Sequence, residues 1–180
     1  MALSKKQKGV ITGMLSAMLI SVVIILFAVL FDPLNYSNIS QVSDRLNILA
    51  GSLILPTLFL IFCIARLAKF RFFSPEDIDG SGLTYGSGHA RLLQSLLQNT
   101  LEQLVIAFGA YTIWCLLMPS AWLSAVPLCS LLFAIGRVFF FKGYHLGAPG
   151  RALGFALTFY STVMLLVVLL GYQLMVAISY

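Results

Sequence analysis

Glu102 is an acid set deep in an apolar stretch, eleven residues beyond Arg91, the last charge before it. Arg91, Gln94, Ser95, Gln98, Asn99 and Glu102 recur at spacings of three and four, which on a helix gathers them into one polar stripe. An ionisable group inside a bilayer costs at least about 2.5 kcal/mol, so such a carboxylate is expected to have a partner and a purpose. At about 1.5 Å per residue Glu102 lies about 16 Å along its helix from Arg91. Arg137 enters from the next apolar segment, fifteen residues past Trp122, an aromatic residue that marks the far interface. An Arg137–Glu102 pair is therefore the simplest expectation. Its bland alternative is a pair that only fixes helix register.

More polar groups gather near the same depth. Asn99 is about one turn from Glu102, and Tyr144 and Arg151 stand seven residues apart across a turn. Arg151 follows Gly150 at the expected start of the last apolar segment. A cation there opposes the helix dipole, whereas an anion would be welcomed by free N–H groups and the guanidinium together. The pattern points to a site for an anionic ligand or a thiolate. Arg66, Lys69 and Arg71 add positive charge at the end of the second segment, or serve simply as membrane-flank anchors.

The segments that must position these groups are membrane spans. With 60% hydrophobic and 9% charged residues, the 180-residue chain falls outside the range of soluble domains, in which about a quarter of residues are charged. Five apolar runs are long enough for helices that cross a bilayer: near 9–30, 46–65, 92–117, 122–141 and 153–178. Asp32-Pro33, the 74–82 stretch, Pro119 and the Gly147–Gly150 turn separate them, while Pro56 and Pro127 are expected to kink spans and to free backbone groups that neighbours can satisfy. Lys and Arg number three, one, four, none and three from the N-terminal tail through successive loops and flanks. That alternation predicts a cytoplasmic N-terminus and a cytoplasmic 66–91 loop. The first span reads as a retained helix rather than a cleaved signal, because its apolar region is long and no small-residue cleavage site follows. Gly9, Gly13 and Ala17, four apart, suit a close helix contact. Cys63, Cys115 and Cys129 lie in apolar runs without a CxxC or a Cys/His cluster, so they read as packing residues, with no metal site. No basic segment is free of the membrane, which argues against nucleic-acid binding.

The chain from about Arg45 onward resembles the MAPEG superfamily, the membrane-associated proteins in eicosanoid and glutathione metabolism. The resemblance rests on four motifs in order: Arg66 nine residues before Pro75-Glu76-Asp77, Asn99-x-x-Glu102, Arg137 followed seven residues later by Tyr144, and Arg151 seven residues beyond that. The last spacing is that of the leukotriene-C synthases within the family. The resemblance implies an all-α fold: a four-helix protomer over 46–180, preceded here by a tail, an additional transmembrane helix and a loop over 1–45. It further implies a homotrimer, with glutathione held between subunits on the cytoplasmic side. Arg66, Asn99, Glu102 and Tyr144 would contact glutathione, Arg137 would support Glu102 within that site, and Arg151 would be the catalytic residue that stabilises the thiolate.

The family pattern is not complete. Ser95 stands where the family usually has an Arg four residues before the Asn, Gln98 replaces a further Arg of one branch, and Phe140 replaces a Tyr or His. Arg91, one turn from Ser95, is the residue placed to substitute. The leading expectation is a glutathione-dependent transferase or peroxidase acting on a hydrophobic substrate from the lipid bilayer, in a bacterial inner membrane. A non-catalytic lipid-binding protein on the same scaffold is the alternative. A transporter is disfavoured because the last span offers no polar track.

Overall fold

The computed structural model describes residues 3–179. Its long elements are α1 (Lys5–Phe31), α2 (Val42–Phe72), α3 (Gly88–Leu117), α4 (Ala125–Gly143) and α5 (Gly147–Ile178), with 3-10 turns at Ser120–Trp122 and Tyr144–Leu146. The fold is an all-α membrane bundle, and large apolar side chains such as Leu19, Phe31, Ile54, Val105 and Leu170 are exposed on its outside. Helices α1, α2 and α3 and the stretch Ser120–Ile178 are long and apolar enough to cross a membrane.

That last stretch is a hairpin. Gly136 faces Thr158 and Gly154, Gly154 faces Phe140, and Gly143 faces Gly150, so position numbers rise along α4 as they fall along α5. The backbones meet so closely that a Cβ on Gly136 would come 2.8 Å from Thr158 Cγ2. Small residues permit this approach, and dispersion drives it where lipid is as apolar as the side chains. The α1 contact follows the same logic in parallel orientation. Gly9 meets Pro149, Gly13 meets Ala152 and Leu153, and Ala17 is fully buried, as the four-residue spacing of small side chains suggests.

Several helices run beyond the apolar limits. Helix α2 continues to Phe72, α3 starts at Gly88, and α5 starts at Gly147, so Arg151 is its fifth residue rather than its opening one. Pro127 falls in the first turn of α4, where its missing N–H breaks no helical bond, instead of kinking a span. Pro56 does lie inside α2 and deprives the Ser52 carbonyl of its donor. Ser130 Oγ from α4 donates to that carbonyl in its place.

Polar knots close both ends. Arg45 donates to the carbonyls of Cys115 (2.9 Å) and Met118 (2.8 Å), satisfying acceptors that the end of α3 leaves open. Asp32, the left-handed C-cap of α1, accepts from Ser124 Oγ and from Ser37 N and Oγ. At the other end buried Asp77 accepts from Ser87 N (2.7 Å) and Ser74 Oγ (2.9 Å), pinning the 73–87 loop to α3. The three cysteines are free and buried.

Two consequences are measurable in detergent. Gly154→Ala should destabilise by about 1–3 kcal/mol through overpacking, while Gly109→Ala, with open space around it, should change little or gain up to about 1 kcal/mol. Desolvation pushes the Asp32 carboxyl up, but hydrogen bonds from Ser124, Ser37 and the Tyr36 and Ser37 backbone outweigh it and hold the pKa at about 2. A depressed folded-state pKa means stability present above the ordinary value of 3.8 and lost as pH falls toward 2. Thermal melts of the wild type should decline across that window, and Asp32→Asn should show a shallower acid limb from a lower neutral-pH Tm.

Candidate functional site

Arg137 is fully buried on α4. Its guanidinium donates to Asn99 Oδ1 on α3 (2.8 Å) and to Thr158 Oγ1 on α5 (2.5 Å), and lies over the rings of Phe140 (4.6 Å) and Phe133 (5.7 Å). Its Nε has no protein partner among the described residues. The expected Arg137–Glu102 pair does not form within one chain: Glu102 is exposed and accepts from Gln98 Nε2 (2.9 Å). The reason is the rotation of α3. With Asn99 turned toward Arg137, Gln98 and Glu102 come onto the outer face.

Above this junction lies a cavity of about 410 Å³ that brings together Ser95 and Asn99 of α3, Tyr144 of the α4–α5 turn and Arg151 of α5. Arg151 stacks on the Tyr144 ring with its Cζ 4.5 Å from the centroid. Phe140, which meets Tyr144 edge-on at 5.4 Å, and Phe155 form an apolar floor. The lining holds one cation and no acid, so its electrostatics favour an anion. Asn99 serves twice, as acceptor for Arg137 and as cavity wall.

Arg66 and Glu102 are not in this cavity. Arg66 stands over Phe62 and lines a separate hollow of about 440 Å³ with Lys69 and His89. Arg91 lines a third hollow, of about 260 Å³, with Arg71, Gln94 and Ser95, and Arg71 donates to Gln94 Oε1 (3.1 Å). Ser95 borders both this hollow and the main cavity, which sets Arg91 beside the site but outside its lining.

Sequence reasoning missed three contributors. Thr158 belongs to a buried face of α5 with Ser161 and Thr162, a polar patch in a span read as uniformly apolar. Its signal was there, in hydroxyl residues at helical spacing. These hydroxyls bond mainly to carbonyls of their own helix, so they form no continuous polar path. Val10 and Met14 of α1 also line the cavity, and nothing in their apolar surroundings distinguished them.

The architecture is that of an integral membrane protein whose polar site lies near one end of a helical hairpin. The sequence model of the MAPEG family matches residues 46–171, well over half of the chain, and the chain belongs to that family. No curated protein and no solved structure matches. The match covers α3, α4, nearly all of α2 and most of α5, and omits α1.

Because Asn99 rather than Glu102 satisfies Arg137, Asn99→Leu should destabilise the detergent-solubilised protein by about 1.5–3 kcal/mol, the value of a hydrogen bond to a charged group. Glu102→Gln should cost less than about 0.5 kcal/mol. Thermal melts of the two variants, run side by side, decide between the two pairings.

Proposed function

We propose that this protein is a glutathione-dependent transferase or peroxidase acting on lipophilic electrophiles, with Arg151 as the catalytic cation. The observation that carries the reading is the placement of Arg151 on the Tyr144 ring, in a cavity that also holds Asn99 and contains no acid. These residues fit an anionic thiol peptide. A guanidinium held by an aromatic face keeps its N–H groups available, and its charge favours a thiolate over a thiol. Bound glutathione supplies a sulfur that displaces a leaving group from carbon, the thiol proton and the leaving group passing to solvent, or, two thiols together, reduces a hydroperoxide to alcohol and water with formation of the disulfide. Asn99 and Tyr144 orient the peptide, and Arg137 holds Asn99 in place. The apolar floor admits the second reactant and keeps water from it.

Membership of a family linked to eicosanoid and glutathione metabolism supports this assignment. The outer stripe of α3 supports self-association, for which membership of the family makes a homotrimer the expected form. Arg91, Ser95, Gln98 and Glu102 are exposed in one chain, and in a membrane such a stripe requires a neighbouring subunit or a water-filled cleft. Arg66, in its separate hollow, would then contribute to the site of an adjacent copy. All basic residues except Arg45 lie toward the cavity end, which by the positive-inside rule faces the cytoplasm, in a bacterial inner membrane on our reading. Ser95 and Phe140, where the family pattern has Arg and Tyr or His, favour the second reading, a non-catalytic lipid-binding protein.

Glutathione at millimolar concentration should raise the Tm of the solubilised protein and drive conjugation of an aryl halide. Arg151→Ala should cut turnover roughly tenfold to a hundredfold at neutral pH and recover part of it at alkaline pH, where the thiol ionises unaided. No thermal shift at about ten millimolar glutathione would sink the assignment, and a bound lipid with no conjugation would select the second reading.

A further inference from the structure

We infer that the hollow formed by the end of α2, the 73–87 loop and the start of α3 is a second anion subsite of the same ligand site, in which Arg71 and Arg91 hold a carboxylate of the molecule whose sulfur lies at Arg151. This rests on the function proposed above. Glutathione carries two carboxylates besides its thiol, and the cavity offers one cation, Arg151, which that function assigns to the sulfur. The carboxylates need cations from outside the cavity.

The adjoining hollow, of about 260 Å³, holds two. Arg71 is fixed from two sides, its Nη2 donating to Ser81 Oγ of the loop (3.2 Å) and to Gln94 Oε1 of α3 (3.1 Å). Its Nε is buried with no partner among the described residues, a cost that an anion settling on the guanidinium would relieve. Arg91 is exposed on α3 and lines the same hollow. Asp77, the acid in the lining, is already engaged: Oδ1 accepts from Ser87 N (2.7 Å), and Oδ2 from Ser74 Oγ (2.9 Å) and Ser87 Oγ (2.7 Å). Two guanidinium charges against one engaged carboxylate leave the hollow positive, and the planar fork of a guanidinium matches the two oxygens of a carboxylate.

Hollow and cavity meet at Ser95, which lines both. Its hydroxyl folds back to donate to the Arg91 carbonyl (2.9 Å), so little side chain stands between the two spaces. Arg91, Ser95 and Asn99 follow one another at four-residue spacing along α3, from the hollow through the shared edge to the cavity. That track is about 12 Å of helix. An extended tripeptide spans roughly 10 Å and has the length to lie along it.

The test compares S-methylglutathione with its diethyl ester, which lacks both carboxylate charges, by thermal-shift titration of the solubilised protein. Arg91→Gln should weaken S-methylglutathione by about tenfold or more, the usual cost of one charged hydrogen-bonding partner, and leave the affinity for the ester unchanged. Arg91→Lys should recover part of the loss, and Ser95→Phe, which closes the shared edge, should reproduce it. With glutathione as substrate, KM should rise in Arg91→Gln while kcat stays within about twofold. A folding defect weakens acid and ester alike, so equal losses, or no loss, overturn the inference. Inorganic phosphate probes the hollow alone and should raise the Tm of the wild type more than that of Arg91→Gln. That difference, in a protein that S-methylglutathione never stabilises, upholds the anion subsite and removes the glutathione reading, whereas absence of both shifts overturns the subsite.

Discussion

A guanidinium is sealed among three helices, and much of the bundle is arranged to tolerate it. Desolvating such an ion costs several kcal/mol, recovered only through close partners. Asn99 and Thr158 supply acceptors from α3 and α5, and the rings of Phe133 and Phe140 supply their negative faces. These contacts rotate α3 so that Asn99 points inward and bring α5 close enough for Thr158 to reach. The glycines of the α4–α5 crossing serve the same end, since bulkier residues would hold Thr158 away from Arg137. The cavity above inherits its geometry from this junction through Asn99.

What the amino-acid sequence revealed was the part governed by local rules. Apolar length located the helices, the spacing of Gly9, Gly13 and Ala17 foretold a close crossing, and Pro56 foretold a carbonyl in need of a neighbour. Helix ends escaped because hydropathy marks where lipid begins, whereas a helix continues into water as long as its backbone bonds are kept. Helix α2 therefore carries Arg66, Lys69 and Arg71 beyond its apolar run, and α5 starts four residues before Arg151.

The Arg137 partner escaped for a different reason. Opposite charges seem obvious partners in a list of residues, but an amide and a hydroxyl accept from a guanidinium as well, and the choice depends on the rotation of α3 about its own axis. No local pattern sets that rotation. That Val10 and Met14 line the cavity was hidden too, because an apolar side chain at a cavity looks the same in sequence as one against lipid. Of the site residues, Asn99, Tyr144 and Arg151 converge in one chain, while Arg66 and Glu102 lie on other surfaces.

The parallel seat of α1 on α5 also orders events during synthesis. Chains are made from the N-terminus, so α1 enters the membrane first, while its seat at Pro149, Ala152 and Leu153 is made last. Until then the face of α1 bearing Gly9, Gly13 and Ala17 must remain open to lipid or to a helper protein. A ribosome that stalls before α5 releases a chain whose first helix has lost its largest packing surface, and membrane quality control has a ready mark by which to recognise the unfinished molecule.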